Sequence, residues 1–577
     1  MEPWASLRAI PARSKRYIAP FSGPNAQRHR GNCLNRPVKQ DAASDAELDL
    51  YLAYQFLPIR REQGQVLVAT SDMSTTNLTR IRASVGNARF IFVPKRQLQR
   101  KITSQFRQRL SEDATFSLWM KTPELSARRI ITRGQIAAFA GIVIGVLTIW
   151  YLAPSVTAHA VVATMSVGFV VSAAVRALLA SLGGRKRGAQ EAASSAPIEE
   201  RHLPVYTVLV PLYREADVLP RLARALMALD YPRNKLDLKL VVEEDDEGTC
   251  AAADDLATFG CFEVIRVPLG FPRTKPKACN YALRFARGDY LVIYDAEDRP
   301  EPDQLRKAVN QFRCAPLGTA CLQARLAISN ANDGWIARMF ALDYAVWFNT
   351  LLPGLDRLAV PMPLGGTSNH FRTSVLRAVG GWDPFNVTED ADLGIRLAQL
   401  GYRVSMLDST TLEEAPTRLP IWFKQRSRWL KGYMQTWLVH ARHPALLARR
   451  MGGRGVAMFQ MFIGGAIWSA LVNPLLWLIF IVNTLFVPSN EDPDAVQMFA
   501  CISGLGLLTA NTLLACAAAT DQRRGLAMLV PYSLGLVLFW MLISAAAYRA
   551  LWQLFFRPFY WEKTPHGQSS RGRALGV

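Results

Sequence analysis

The stretch Tyr290-Leu291-Val292-Ile293-Tyr294-Asp295-Ala296-Glu297-Asp298 decides the fold of residues 204–450. A short, continuous apolar run reads as a strand buried on both faces. This one delivers three carboxylates at its C-terminal end. Such strands belong to mostly parallel sheets with helices on both faces, where ligands bind at the carboxyl ends of the strands. Crowded acids repel one another, and a cation relieves the repulsion. Hard carboxylate oxygens suit Mg2+ or Mn2+, which would bridge a diphosphate. Asp295, Glu297 and Asp298 are therefore candidate metal ligands, against the plainer reading of a charged turn.

Working outward, the same alternation continues. Val205–Leu212 reads as a strand followed by a helix from about Glu215, and Leu236–Val242 and Cys261–Val267 read as further strands. Lys277–Ala286 reads as a helix. Beyond this α/β segment the pattern changes. Residues 134–152 and 156–181 are apolar runs long enough to cross a bilayer, and the link Ala153-Pro154-Ser155 makes them a hairpin. Arg176, near the inner end of the second run, is expected to snorkel. Residues 182–203 read as a linker. Apolar runs return at 459–486, 496–519 and 527–556.

The acidic loop 489–494 is expected outside and Arg523 and Arg524 inside. Three spans would leave the C-terminal tail outside, yet the tail is basic, with Arg557, Lys563, Arg571 and Arg573. Either part of one run lies along the interface or a re-entrant element exists.

The formal net charge of +21 suits nucleic acid or a membrane protein with basic inner loops. The second reading is favoured. Arg128, Arg129 and Arg133 precede the first apolar run and Arg185, Lys186 and Arg187 follow the second, so no nucleic-acid partner is expected. The eight cysteines form no CxxC pair and read as unpaired thiols. No cleavable leader precedes the first run, so the N-terminal region is expected in the cytoplasm.

Three more constellations lie in the α/β segment. Val241-Val242-Glu243-Glu244-Asp245-Asp246-Glu247 ends a strand in five acids, which make either a solvated turn or a carboxylate that holds the base or ribose of a nucleotide. Asn386-Val387-Thr388-Glu389-Asp390 follows the turn Gly380-Gly381-Trp382-Asp383 and precedes a helix, Ala391–Leu400. Thr388 or Asp390 would cap that helix, or Asp390 would act as general base on an acceptor hydroxyl. Gln425-Arg426-Ser427-Arg428-Trp429 lies in an amphipathic stretch before the membrane runs. It reads as an interfacial helix, or as Arg on phosphate and Trp against a sugar face.

In this order and between apolar runs, the motifs resemble processive family 2 glycosyltransferases, the class that includes cellulose and hyaluronan synthases. The resemblance covers roughly 204–440. It implies a GT-A (Rossmann-like α/β) cytoplasmic domain flanked by transmembrane helices. It places Glu244 and Asp245 near the uridine end of the donor, with Lys275 and Lys277 near its phosphates. Asp295 matches the first acid of the DxD motif, and Glu297 stands where a second Asp is usual. Asp390 matches the catalytic base, and Glu389, Gln425, Arg428 and Trp429 fall at the acceptor and pyrophosphate side.

The resemblance further implies a nucleotide-sugar donor, expected to be a UDP-sugar, and single-displacement inversion. It implies a growing polysaccharide as acceptor and export of the β-linked product. A single addition to a lipid carrier and a non-catalytic membrane receptor are the alternatives.

Residues 1–44 read as a disordered basic segment and 45–123 as a small α/β domain. Its expected elements are strands Gln65–Thr70 and Arg89–Val93 with a helix Thr75–Ser84 between them. Phe56-Leu57-Pro58-Ile59, Val66-Leu67-Val68-Ala69-Thr70-Ser71-Asp72 and Phe92-Val93-Pro94 resemble the N-terminal domain of type II secretion ATPases. That resemblance implies a docking module for a regulatory protein or a cyclic di-GMP site. With the apolar runs, it points to a bacterial inner membrane.

Overall fold

The computed structural model describes residues 45–184, 198–486, 512–516, 518 and 526–562. The basic segment 1–44, both loops 489–494 and 521–524, and the tail beyond Glu562 lie outside the described residues, as does most of the run 496–519. The chain divides into two compact units, 1–107 and 108–577.

The first unit is a three-stranded sheet of order β1-β2-β3. Helix α1 (Asp45–Ala53) leads into β1 (Phe56–Glu62), β2 (Gln65–Thr70), α2 (Thr75–Val85), β3 (Ala88–Phe92) and α3 (Lys95–Gln105). The expected strands and helix are present within a residue or two. Strand β1 is an addition, because Pro58 and the charged run Arg60-Arg61-Glu62 hide its alternation. It pairs antiparallel with β2 through the two-residue loop Gln63-Gly64, whose φ values of 46° and 78° suit a tight hairpin. Phe56, Val66, Val68, Ile81 and Ala88 form the core.

The second unit opens with α4 (Arg107–Lys121), which the sequence reading assigned to the small domain. Its Ala114 carbonyl accepts from Asn280 (3.0 Å) and its Asp113 pairs with Arg284 (2.8 Å), so it packs on the α/β body. Arg128, from the basic flank of the first apolar run, lies over the rings of Phe116 and Trp119 at 5.0 and 5.2 Å. Helices α5 (Arg133–Leu152) and α6 (Pro154–Gly183) follow as the hairpin.

An eight-stranded sheet forms the body, in the order β6-β5-β4-β7-β10-β9-β11-β8. Its strands are β4 (Tyr206–Leu212), β5 (Leu236–Glu243), β6 (Phe262–Val267), β7 (Tyr290–Ile293), β8 (Arg299–Pro300), β9 (Thr319–Ile328), β10 (Asn369–Arg372) and β11 (Arg403–Glu413). The helices that position the site are α7 (Leu219–Met227), α8 (Glu247–Ala257), α9 (Lys275–Leu283), α10 (Gln304–Cys314), α11 (Trp335–Val346), α12 (Thr373–Ala378), α13 (Glu389–Gln399) and α14 (Leu419–His440).

Strands β6, β5, β4 and β7 are parallel, as expected. The sheet as a whole is mixed, because β10 runs antiparallel to both β7 and β9. Strand β10 reads Asn-His-Phe-Arg and has no apolar period to betray it. Its polar residues are buried because partners meet them: His370 Nδ1 bonds the Tyr206 hydroxyl at 2.7 Å.

Four helices are long and apolar enough to cross a membrane: Arg133–Leu152, Pro154–Gly183, Pro444–Val482 and Met528–Phe556. The third joins α15 (Pro444–Phe459), a π turn and α16 (Gly465–Phe486), and the fourth contains α17 (Leu536–Phe556). No residue of α5 is buried by the other described residues. So large an exposed apolar surface marks a site that a membrane or a partner covers.

Small residues let α6 pack closely. A Cβ on Gly183 would lie 1.8 Å from the Thr350 carbonyl oxygen, and one on Gly354 would lie 2.2 Å from that of Leu179. Beyond α17, Lys431 and Gln435 of α14 donate to the carbonyls of Tyr560 (2.7 Å) and Pro558 (2.9 Å). Residues 557–562 therefore pack against α14.

Candidate active site

The carboxyl ends of β4, β5 and β7, the loop 364–367, the start of α13 and one face of α14 enclose a cavity of about 560 Å3. Asp295, Glu297, Glu389, Asp390, Gln425, Arg428 and Trp429 line it, together with Lys275. Glu244, Asp245, Lys277 and Asp298 do not.

The acids after β5 divide their work. Glu243, the last strand residue, faces the cavity and is 5 % exposed. Asp246 caps α8 through the Thr249 amide (3.3 Å). Asp245 pairs with Arg273 at 2.8 Å, and Arg273 donates to the Tyr213 hydroxyl at 2.9 Å. This pair holds the loop before α9 against β4, so at this edge Glu243 and Arg273 take the place expected for Glu244 and Asp245.

Burial pushes the Glu243 carboxyl up to about 7, against the opposing pull of Lys277 and Arg273. The folded protein thus holds a proton that the unfolded chain releases from about 4.5 upward. Stability from this group is present at low pH and falls as pH rises toward 7. Glu243→Gln is expected to flatten the decline in melting temperature between pH 4.5 and 7; an unchanged slope in a thermal melt would contradict this assignment.

Lys277, expected at the phosphates, is fully buried and donates to the carbonyls of Pro268 (2.7 Å) and Gly270 (3.3 Å). It braces the loop before α9. Lys275, two residues earlier at the start of α9, takes the cavity position. Its ammonium group rests on Asp295 and donates to the Gly366 carbonyl at 2.8 Å. The charges of Asp295 and Glu389 raise its affinity for the proton, more than offsetting burial.

Asp298 is turned into the protein at 1 % exposure. Its Oδ2 accepts from the Asp295 amide at 2.7 Å and from the Thr367 hydroxyl. Burial and the neighbouring Asp295 and Glu297 push it far toward its neutral form. Asp298 therefore shapes the turn that presents Asp295 and Glu297.

Asp390 sits in the first turn of α13, where the helix dipole favours negative charge. Its Oδ1 accepts from the Ala391 amide at 2.7 Å. Its Oδ2 lies 3.2 Å from where a Cβ on Gly366 would stand, so Gly366 leaves room beside it. Burial pushes Asp390 upward, and burial plus Asp390 push Glu389 up to about 7.

Thr388 makes no side-chain cap. Instead it packs against Gly432 of α14, where a Cβ would fall 2.1 Å from the Thr388 Oγ1. Gly432→Val is expected to displace the 388–390 turn and lower the transfer rate by at least ~10-fold, because sub-ångström placement of reacting groups carries large factors. Transfer at the wild-type rate would show that the turn is not held from α14.

Helix α14 is largely buried by the protein around it. It packs along α17, with Trp422, Ser427, Lys431, Gln435 and Thr436 fully buried. Arg428 donates to the Val387 carbonyl (3.1 Å), stands 5.8 Å from the Trp561 ring, and feels Glu389, Asp390 and Asp295. The buried Nε of Arg428 and Oε1 of Gln425 have no protein partner among the described residues, which leaves them for a ligand. Trp429 stacks on Tyr344 at 6.3 Å, with the Arg426 guanidinium 4.8 Å from its ring.

Sequence reasoning missed Trp561 and the inward course of Arg176. Trp561 follows the last apolar run and carries no local motif. Arg176 had a signal, a charge within an apolar run.

The described residues hold no ready-made cluster of three metal-ligating side chains. Asp295 and Glu297 nevertheless offer hard oxygens on one wall of the cavity. That donor set fits Mg2+ or Mn2+, which commonly take one or two carboxylates and complete their shell with substrate phosphates and water.

A mixed α/β sheet with carboxylates at its strand ends, facing a cationic and aromatic wall, is a GT-A-like arrangement. Residues 204–432 match the family described as Glycosyltransferase like family 2. The beta-monoglucosyldiacylglycerol synthase of Trichormus variabilis is 27 % identical over 269 residues, 45 % of this chain and 55 % of that protein. A probable glucomannan 4-beta-mannosyltransferase of Arabidopsis thaliana is 27 % identical over 237 residues, 40 % of this chain and 43 % of that protein. The chain thus spans about half the length of the curated relatives it matches. A solved mannosyltransferase of Pyrobaculum calidifontis, in complex with GDP-Man and Mn2+, is 21 % identical. It superposes with a TM-score of 0.44 over 69 % of this chain and 99 % of that one.

Proposed function

We propose that this protein is a membrane-embedded, inverting glycosyltransferase that draws on a nucleotide-sugar donor and elongates a β-linked polysaccharide, passing it toward the membrane. The observation that carries this reading is the link from Asp295 through Lys275 and Gly366 to Asp390 within one cavity. It sets donor-side cations and a general base on either side of one reacting centre.

In this reading the donor lies across the strand ends, with its nucleoside toward Glu243 and Arg273. Asp390 takes the proton from the acceptor hydroxyl, and the freed oxygen attacks the anomeric carbon from the face opposite the leaving group. Lys275 and Arg428 offset the charge that gathers on the departing diphosphate. Asp295 and Glu297 would hold Mg2+ or Mn2+, which would supply further charge stabilisation there. Gln425 and Trp429 orient the acceptor sugar. One displacement inverts the anomeric configuration, so an α-linked donor gives a β-linked product.

Polymer elongation is favoured by the cavity's continuation among helices α6, α16 and α17, whose Arg176, Ala466, Ala470 and Trp540 line its far end. The four long apolar helices support a membrane location, the bacterial inner membrane in this reading, with the α/β body cytoplasmic. The first unit serves as a docking module or cyclic di-GMP site.

The test is incorporation of radiolabelled sugar by membrane vesicles, with UDP-glucose, UDP-N-acetylglucosamine, UDP-galactose and GDP-mannose supplied separately, with and without cyclic di-GMP. Polymeric product from one donor is the expected result. Label confined to lipid would overturn elongation in favour of single addition, and an unchanged rate with cyclic di-GMP would leave docking as the role of the first unit.

A further inference from the structure

Arg176 was expected to reach out of helix α6 toward headgroups. It turns inward instead and lines the deep end of the cavity. Its guanidinium lies 4.6 Å from the Trp540 ring centroid on α17. Its Nε is buried and has no hydrogen-bond partner among the described residues. Asp343 of α11 is the acid whose charge acts on it. That same carboxylate forms a 3.0 Å ion pair with Arg426.

Asp343 is thus taken up by Arg426, and Arg176 has no ion-pair partner among the described residues. A cation in an apolar helix is costly, and such residues face an interior that uses them. Ala466 and Ala470 of α16 line the same end. Their short side chains leave room for a ligand where larger ones would fill the space.

We propose that this end of the cavity is an acceptor subsite for an acidic group, a phosphate or a carboxylate, bound by Arg176 against the face of Trp540. The inference rests on the reading that the donor occupies the strand ends and the acceptor the membrane side. A guanidinium presents parallel donors to two oxygens of one anion, a geometry that a neutral hydroxyl cannot match. The acid comes from one of two sources: the phosphate of a lipid-borne acceptor, or a uronic-acid residue within the growing chain.

The experiment uses the full chain in nanodiscs of neutral phosphatidylcholine and reads binding rather than turnover. Tryptophan fluorescence is titrated with dihexanoyl phosphatidic acid, dihexanoylglycerol, a galacturonic-acid tetramer and a galactose tetramer. UDP is titrated into the same preparations by calorimetry, which reads the donor half independently. One acidic probe is expected to bind at least ~10-fold tighter than its neutral counterpart, a factor ordinary for one charge-assisted hydrogen bond. Preference for the phosphatidic acid identifies a lipid phosphate, and preference for the galacturonate tetramer an acidic chain.

Arg176→Gln is expected to erase the preference and Arg176→Lys to retain part of it, with UDP affinity unchanged in both. Equal binding of acidic and neutral probes, binding of none, or a preference that survives Arg176→Gln would each overturn the subsite. If Arg176→Gln does not fold, the wild-type and Arg176→Lys titrations decide. Loss of UDP binding by the wild-type protein would instead count against the donor site.

Discussion

Asp390→Asn is expected to lower sugar transfer by ~10²–10⁴-fold, the range a positioned general base contributes, while UDP binding survives. The substitution keeps the shape of the side chain. The amide oxygen still accepts from the Ala391 backbone (2.7 Å in the native carboxylate), and the space beside Gly366 still holds the group. What it removes is the capacity to take a proton.

The same chemistry predicts the pH profile. Burial raises Asp390 above the ordinary carboxylate range, so the native rate falls on the acid side while most surface carboxylates remain ionised. Single-turnover assays across pH, with calorimetry for UDP, check both halves. Turnover by the variant at the native rate would remove Asp390 as the base.

Chelation is expected to stop transfer, with a loss of at least ~100-fold, because a divalent ion supplies several kcal/mol of charge stabilisation at a departing diphosphate. Mg2+ or Mn2+ should restore the rate. Lys275 pairs with Asp295, so that carboxylate keeps a counter-charge once the metal is removed and the loss should be reversible. Asp295→Asn should raise the metal concentration needed for half-maximal rate, whereas Asp298→Asn should act on stability through the Asp295–Thr367 turn. Full activity in metal-free buffer would sink the assignment at Asp295 and Glu297.

The parallel core was legible because β5 and β7 are short apolar runs ended by acids, and burial on both faces permits nothing else. The long apolar helices were legible for the same reason. The antiparallel β10 was not, since its stability comes from polar partners supplied by Tyr206 and Gln304, far away in sequence. Nor was the boundary at residue 107 legible. Helix α4 carries no marker of its own, and only its contacts with Asn280 and Arg284 say which body it joins.

Within the site, the motifs and the family resemblance they carry picked out Asp295, Lys275, Glu389, Asp390, Gln425, Arg428 and Trp429, all of which line one cavity. Which acid of a crowded run faces that cavity was decided by the strand's last residue and the helix cap. Glu243 therefore points inward while Asp245 and Asp246 serve the backbone and Arg273.

By itself, then, the sequence determined where apolar strands end in acids and where helices are too apolar for water, because both follow from local composition and period. The tertiary structure alone decided what each charge does. It made Lys277 and Asp298 braces, brought Trp561 back to Arg428, and turned Arg176 inward onto Trp540. A buried charge must find its partner, and those partners lie on other elements, often far away along the chain.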